Sequence, residues 1–461
     1  MPFERTPRST PADPGETAAV HTSSAGRRGV TRRDLLKLLG AGAATVGAGA
    51  WLLDDETAGS PVSHARSRDT NAARRSPPAI QPVANVGVAD RVLVMIELGG
   101  GNDGLSMVSP IGNGRFHDLR PSLAVGVGDG DGDGEPFPID ERWAWHPKLT
   151  RVAGRKAAVL QGVGSMQPDG SHFEMSNRWW QGSPDRSNIY DTGVLGRLAD
   201  AIGDPDAAAV AISVSDGNHP IMLSRQAATL TLSDASATAY LTAPTPDDLM
   251  AQRFQRAYRS LGSGNSSEFE MRRQLVRSDT LRFADAVGVW DEASLLGYRD
   301  DRLGMGLRMA ARLFDSGGIG LRIVHVTMDD GFDTHENHGW RYPELMAALD
   351  DNLGAFFDDL DARGIGDRVL VATMSEFGRT VGENGSGGLD HGEASNMLLF
   401  GPVVAGLHGE PPSFRGLEPE DGLPAAIAFD RYLATIAEDW FEVPADSVVD
   451  SGAKTISGVL R

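Results

Sequence analysis

Residues 91–104 read RVLVMIELGGGNDG, a continuous apolar run that ends in a glycine-rich segment. Apolar runs of this length are typical of strands that are buried on both faces of a parallel sheet. Runs of the same form occur at residues 157–163, 321–328 and 368–374. The sequence therefore predicts a set of buried strands, the first of which leads into a glycine-rich loop.

A long helix is predicted between the last two of these strands. Apolar residues recur there at helical spacing with acidic residues between them, at Leu345, Leu349, Leu353, Phe357 and Leu360. Gly364 is the predicted helix stop. Strand, helix and strand make a βαβ unit, which predicts an α/β fold with a mainly parallel sheet covered by helices.

The composition excludes several kinds of site. The chain has 461 residues with 63 acidic and 43 basic side chains, a net charge of -20, and no cysteine. Without cysteine there is no disulfide scaffold, no thiolate metal site and no cysteine nucleophile. The acidity argues against a nucleic-acid partner, because neutralising phosphates needs a basic face.

Residues 1–65 form a predicted export leader. The segment TRRDLLK at residues 31–37 places paired arginines before a weakly hydrophobic stretch, which resembles a bacterial twin-arginine signal. The uncharged stretch that follows is shorter than the ~20 apolar residues of a membrane span. Cleavage after Ala50 or Ala65 and an uncleaved leader are the open alternatives, and membrane attachment is expected only through an uncleaved leader. The expected partner is the twin-arginine export machinery, and the expected location is the periplasm, the cell envelope or the extracellular space.

The rest of the chain divides into a linker and a folded domain. Residues 66–88 are polar, proline-containing and aperiodic, which predicts a tether. Residues 89–461 form the predicted domain, and residues 244–315 have the pattern of a helical insertion within it.

Polar side chains gather directly after the predicted strands, at residues 102–103, 329–338, 375–379 and 388–392. In parallel α/β sheets, ligands bind outside the carboxyl ends of the strands. Imidazoles and carboxylates that converge there are the ligand set of zinc, manganese or a similar divalent ion, which lowers the pKa of water or a hydroxyl and polarises an oxyanion. The alternative is that these Asp and Asn residues cap helices or form Asx-turns.

Other candidate metal ligands are weaker. Residues 129–140 have the carboxylate spacing of a calcium loop, but two prolines and the lack of flanking helices favour a solvated hairpin tip. Four histidines have no convergent partner in the sequence and are interpreted as structural or exposed: His117, His219, His325 and His408.

Seven short motifs occur in order across almost the entire chain after the leader. They are LGGGNDGL at residues 98–105, His146-Pro147, Ser171-His172-Phe173, Leu195-Gly196-Arg197, Phe332-Asp333-Thr334-His335, Ser375-Glu376-Phe377-Gly378-Arg379 and Asp390-His391-Gly392. Together they resemble the bacterial domain-of-unknown-function family 1501, whose members often carry twin-arginine signals and which is placed with the alkaline phosphatase and sulfatase superfamily. The resemblance implies a three-layer alkaline phosphatase-like core, while the biochemical role of the family is poorly defined.

The resemblance also implies a set of metal ligands. In the superfamily an acidic residue follows the first strand, an Asp and a His come from a middle loop, an Asp-His pair ends a later strand, and a last His follows. The residues that match are Asp103, Asp333, His335, Glu376 and His391, with Asp390 as a further ligand. Phe377 stands where the superfamily commonly has a histidine, which puts a standard two-metal phosphatase site in question. Alternatively, Asp390-His391 is the pair itself, and Glu376 then makes no bond to the metal.

Ser171 is the candidate nucleophile that the resemblance implies. Superfamily enzymes usually place a Ser or Thr at a helix N-terminus, where backbone N–H groups favour an alkoxide and an anionic substrate. The favoured alternative is an ordinary N-cap, with Glu174 completing a capping box. Ser106 and Thr334 are weaker candidates, and Arg379 is expected either to bind a phosphate or sulfate oxygen or to form a surface ion pair.

Two functional hypotheses follow. The first is an exported metal-dependent hydrolase that acts on a small anionic ester, a phosphate or a sulfate, with zinc, manganese or calcium. The second is a non-catalytic envelope protein that retains the fold and binds a ligand or partner. Phe377 and the lack of a clear nucleophile favour the second hypothesis, and a bound metal together with turnover would separate the two.

Overall fold

The computed structural model describes residues 90–125, 134–184, 191–204, 207–232, 280, 283, 297–316, 319–449 and 452–461. The predicted leader and linker lie outside these residues, as do most of the predicted helical insertion and residues 126–133 of the calcium-loop candidate. No helix in the described part of the chain is long and apolar enough to cross a membrane.

The strands of the described residues form one large sheet and one small sheet. In chain order they are β1 (Val92–Glu97), β2 (Val108–Ser109), β3 (Phe137–Pro138), β4 (Ala144–Trp145), β5 (Ala157–Gly164), β6 (Ala211–Val214), β7 (Thr229–Leu232), β8 (Ile323–Thr327), β9 (Val369–Met374), β10 (Ser395–Phe400), β11 (Gly406–His408) and β12 (Ile427–Ala428). The four predicted strands correspond to β1, β5, β8 and β9.

The large sheet has nine strands in the order β11-β5-β10-β9-β1-β8-β6-β7, with β12 also paired to β5. β10 runs antiparallel to β5 and β9, and the other pairings in this sheet are parallel. The sheet is therefore mainly parallel, as predicted. β2, β4 and β3 form the small antiparallel sheet.

The helices of the described residues are α1 (Gly104–Met107), α2 (Gly114–Leu119), α3 (His172–Gln181), α4 (Val194–Ile202), α5 (Arg302–Ser316), α6 (His338–Arg363) and α7 (Phe429–Thr435). Shorter 3-10 turns lie at Pro220–Met222, Asp329–Phe332, Gly366–Arg368 and Ala445–Ser447, and a π-helical turn continues α7 at Ile436–Trp440. The predicted amphipathic helix is α6, which connects β8 to β9. Both of these strands pair with β1, which lies between them.

Alternate residues of β1 pack into two separate hydrophobic cores. Val92, Val94 and Ile96 share a core with residues of α5 and α6. Leu93 and Met95 share another core with residues of α3, α4 and α7. Because successive side chains of a strand point to opposite faces, the sheet lies between two helical layers. The predicted α/β core with three layers is confirmed.

Gly364 ends α6 in the left-handed conformation, with φ of 67°. We expect Gly364→Ala to lower the free energy of unfolding by about 1–2 kcal/mol, because an L-residue is strained at positive φ. A Cβ at Gly364 would meet no atom within 4 Å, so the cost is conformational rather than steric. Gly385→Ala is the matched control, since its Cβ also enters open space but its φ is not positive. Denaturant unfolding measures both variants, and equal losses would contradict this account.

Candidate metal site at the sheet edge

Four segments bring polar side chains to one edge of the large sheet. His172 begins α3, in the segment after β5, and Asp333 and His335 lie between β8 and α6. Glu376 follows β9 directly, and His391 precedes β10. β5, β8 and β9 are parallel and β10 is antiparallel to them, so their carboxyl ends and the start of β10 meet at the same edge. This is the edge at which ligands bind in α/β folds.

Three imidazoles surround one carboxylate oxygen at this edge. Oδ1 of Asp333 lies 3.5 Å from Nε2 of His172, 3.5 Å from Nε2 of His391 and 3.2 Å from Nε2 of His335. The ligand atoms of His172, Asp333 and His391 all lie within 4.8 Å of one another. Ligand atoms bonded at about 2.0–2.1 Å to a tetrahedral zinc ion are about 3.3 Å apart. We name His172, Asp333, His335 and His391 the sheet-edge cluster.

Each imidazole of the cluster is held through its other ring nitrogen. In every case Nδ1–H donates to an oxygen: His172 to Glu376 at 2.7 Å, His335 to Asp390 at 2.8 Å, and His391 to the Gly170 carbonyl at 2.7 Å. Hydrogen bonds of this kind fix the tautomer and ring orientation of metal-binding histidines, and leave the Nε2 lone pair for the metal.

The Nε2 atoms of the cluster are not satisfied by hydrogen bonds between neutral rings. Nε2 of His172 is buried and has no hydrogen-bond partner among the described residues. Nε2 of His335 lies 2.8 Å from Nε2 of His391. With both Nδ1 atoms donating, neutral rings would point two lone pairs at each other, so a proton or a cation is needed near this contact. The cluster therefore fits a divalent metal.

Arg379 positions Asp333 and is not exposed at the site. Its guanidinium is buried and donates to Asp333 Oδ1 at 2.6 Å, and also to backbone carbonyls that include those of Gly101 and Leu389. Arg379 is thus neither a surface ion pair nor aimed outward at an oxyanion, in contrast to both alternatives from the sequence.

The electrostatics of the cluster follow from these contacts. The hydrogen bond to Glu376 raises the pKa of His172, against the opposing effect of burial. Burial favours the neutral form of Asp333, but Arg379 overcomes this and holds the pKa of that carboxyl below its usual value. Burial lowers the pKa of His391, and the hydrogen bond from His335 lowers the pKa of Asp390. The site therefore combines an ionised carboxylate with a neutral His391 imidazole at neutral pH.

The six ligands predicted from the sequence fall into three groups. Asp333, His335 and His391 share the cluster. Glu376 and Asp390 each accept a hydrogen bond from Nδ1 of a cluster histidine. They are therefore placed to orient a metal ligand. Asp103 stands alone as the third group.

Asp103 is not placed among the imidazoles of the cluster. Its carboxylate pairs with both terminal nitrogens of Arg120, at 2.7 and 3.1 Å, and both side chains are buried. The Asp103 charge is therefore already matched by a guanidinium, and the role of Asp103 as a metal ligand stays a prediction.

His172 is the residue of the cluster that the sequence pattern did not predict. It lies inside the Ser171-His172-Phe173 motif, so the sequence carries a signal for it, but the family resemblance points to the serine of that motif. Ser171 is exposed and is the N-cap of α3, where its hydroxyl accepts from the Glu174 amide at 3.4 Å. Gly170 accepts a hydrogen bond from His391 and His172 is a member of the cluster, so Ser171 lies at its rim.

Phe377 forms a wall of the site. Its ring centroid lies 4.7 Å from that of His172 and 4.9 Å from that of His391. A Cβ at Gly101 would come within 2.5 Å of the Phe377 ring, and Gly101 has a φ of 76°. The glycine-rich loop after β1 thus leaves space for this phenylalanine, which stands where the sequence resemblance implies a histidine.

A family model described as Protein of unknown function (DUF1501) matches residues 153–416, which is more than half of the chain. The chain is a DUF1501 protein. No curated protein matches it. The matched residues of this DUF1501 protein include the whole sheet-edge cluster together with Glu376 and Asp390, whereas Asp103 precedes them.

Several solved structures resemble parts of the DUF1501 chain. Wild-type alkaline phosphatase PafA is 10% identical with a TM-score of 0.38, over 80% of this chain and 99% of that one. The PsFucS1 sulfatase from Pseudoalteromonas sp. is 11% identical with a TM-score of 0.35, over 79% and 73%. The lipoteichoic acid synthase LtaP from Listeria monocytogenes is 8% identical with a TM-score of 0.33, over 80% and 75%. At these scores the likenesses carry no argument about activity.

Proposed function

We propose that this DUF1501 protein is an exported metal-dependent hydrolase that acts on a phosphate or sulfate ester. The observation that carries the proposal is the convergence of three Nε2 atoms on Asp333 Oδ1, with each Nδ1 held by an oxygen acceptor. A set rich in imidazole favours zinc over calcium and manganese, which are better suited to oxygen ligands. The ester class is the one that the sequence resemblance implies.

The protein groups around the cluster have separate roles in this proposal. A bound divalent ion would supply a Lewis acid and lower the pKa of a bound water or hydroxyl. Arg379 keeps Asp333 ionised and oriented, and Glu376 orients His172. Ser171 lies at the N-terminus of α3, a ten-residue helix whose free N–H groups favour a negative charge. Either Ser171 or a water molecule is the nucleophile.

A non-catalytic envelope protein is the second candidate. Phe377 occupies the wall of the site beside His172 and His391, and the Ser171 hydroxyl is engaged as a helix cap. A protein that keeps the metal but lacks an activated nucleophile would bind an anionic ligand without turning it over. This candidate predicts metal binding with no hydrolysis.

Export through the twin-arginine machinery is part of the proposal. Its support is the TRRDLLK segment and the short uncharged stretch after it. That pathway carries folded proteins, and a metal acquired before export would be compatible with it. Replacing Arg32 and Arg33 by lysine should retain the protein in the cytoplasm, and cell fractionation measures this.

Hydrolysis of p-nitrophenyl phosphate and p-nitrophenyl sulfate by the mature protein tests the proposed reaction. We expect turnover of one of them that a chelator abolishes and that zinc or manganese restores, because the ion supplies the Lewis acid. Ser171→Ala then distinguishes the nucleophiles: a loss of turnover assigns the serine, and retention assigns water. A stoichiometrically metal-loaded protein that hydrolyses neither compound, nor other phosphate and sulfate esters, would favour the binding protein.

A further inference from the structure

A second group of ligating side chains lies outside the sheet-edge cluster. It consists of Glu97 at the end of β1, His325 in β8, and His219 directly before the Pro220–Met222 turn. Nε2 of His325 lies 2.9 Å from Glu97 Oε2, and Nε2 of His219 lies 3.4 Å from the same oxygen. We name these three residues the Glu97 cluster. Their ligand atoms all lie within 4.8 Å of one another.

Hydrogen bonds from residues outside the Glu97 cluster orient its side chains. Nδ1 of His325 lies 2.9 Å from the Ser213 hydroxyl, which in turn lies 2.9 Å from the Ser215 hydroxyl. Nε1–H of Trp180 donates to Glu97 Oε1 at 2.9 Å, so that Oε2 faces the two imidazoles. Supporting hydrogen bonds that aim ligand atoms at a common point are characteristic of metal sites.

His219 gives the cluster an accessible side. Its Nδ1 is buried and has no hydrogen-bond partner among the described residues. Its side chain keeps 12% of its surface exposed, whereas His325 is fully buried. The residues before it, Asp216 to Asn218, are exposed. An ion could therefore enter past His219 without opening the core.

We propose that Glu97, His219 and His325 form a second metal site for a divalent transition-metal ion of the zinc class. Two imidazoles and one carboxylate are a ligand set that zinc and related metals use, with one or more positions left for water. The 3.4 Å separation of His219 Nε2 from Glu97 Oε2 matches the spacing of about 3.3 Å between ligands of a tetrahedral ion. A metal here joins β1 and β8 to the Pro220–Met222 turn.

The two sites are separate but connected by one helix. α3 carries His172 at its first residue and Trp180 near its last, and Trp180 contacts Glu97. At 1.5 Å per residue, His172 and Trp180 are about 12 Å apart along the helix axis. The ligand atoms of the two clusters form two separate groups that share no residue. The second site does not depend on the proposed hydrolase function, since it involves different side chains.

Cobalt(II) titration of the metal-free mature protein, with elemental analysis of the zinc-loaded form, tests this site. We expect Glu97→Gln to bind one equivalent less than the wild type, or to bind that equivalent more than about 100-fold more weakly, because a ligand is lost rather than a supporting partner. Glu97→Gln keeps the side-chain volume and an oxygen for Trp180, so the fold should be retained. His219→Ala, at the accessible side, should have the same effect.

His391→Ala and His408→Ala are the matched variants. His391→Ala should affect the sheet-edge cluster and leave the equivalent assigned to Glu97 unchanged. His408 is partly buried in β11 and belongs to neither cluster, so His408→Ala should retain both equivalents. Equal metal content and affinity in the wild type and the folded Glu97→Gln protein would overturn the second site, whatever the outcome at the sheet-edge cluster. A loss of metal confined to His391→Ala would overturn it as well.

Discussion

His391→Ala is expected to weaken binding of zinc or manganese at the sheet-edge cluster by more than about 100-fold, and to reduce metal-dependent ester hydrolysis to the background rate. Removing a supporting partner of a metal ligand typically costs ~10–100-fold in affinity, and removing the ligand itself should exceed that range. His391 Nε2 lies within reach of both Asp333 and His335, so its loss opens the centre of the cluster. Isothermal titration with zinc and a hydrolysis assay at saturating metal measure the two effects.

Asp390→Asn is the graded companion of that variant. Asp390 accepts a hydrogen bond from Nδ1 of His335, and so supports a member of the cluster through its second ring nitrogen. We expect a loss of metal affinity of ~10–100-fold, smaller than that of His391→Ala. If Asp390→Asn were as damaging as His391→Ala, Asp390 would itself be a metal ligand, as the sequence resemblance implies. If neither variant changed metal binding, the proposed site and the hydrolase built on it would both fail.

The parts of the fold that depend on local pattern were predictable. The apolar run of β1 and the helical spacing of α6 up to Gly364 are properties of neighbouring residues, and the structure places these elements within a few residues of the prediction. The gathering of Asp333 and His391 at one edge was also predictable, because parallel strands end on the same side of a sheet. These inferences need only the periodicity of the chain and the direction of its strands.

The parts that depend on distant partners were not predictable in this way. Asp103 has the sequence position of a strand-end ligand, but its carboxylate forms a buried ion pair with Arg120. His172 reaches the cluster because α3 docks beside Glu376, which is more than 200 residues further along the chain. The Glu97 cluster draws on β1, β8 and the turn after His219, which no local spacing connects. Side-chain direction and tertiary packing decided each of these cases.

Arg120→Met is expected to destabilise the protein by about 3–5 kcal/mol, because it leaves a buried carboxylate without its partner. Asp103 is 1% exposed and Arg120 is 0% exposed, and the pair is joined by two hydrogen bonds. Arg120 also donates to the carbonyls of Val381 and Thr380, which would lose those bonds. Denaturant unfolding measures the loss. Arg225→Met, which breaks an exposed pair with Asp191, is the control and should cost less than about 1 kcal/mol.

The pair also predicts how stability depends on pH and on a second substitution. Burial alone would raise the pKa of Asp103, but Arg120 overcomes it and holds the pKa below the usual value of 3.8. Because the pKa of Asp103 is lower in the folded state than in the unfolded state, the ionised carboxylate stabilises the folded protein fully above the unfolded-state pKa. This stabilisation is lost as the pH falls through the folded-state pKa. This acid-sensitive component should be missing in the double variant Asp103→Leu with Arg120→Met.

Because apolar side chains can replace a buried ion pair, the double variant should lose much less free energy of unfolding than the sum of the losses in the two single variants. Additive losses would show that the two charges do not stabilise each other in the folded protein.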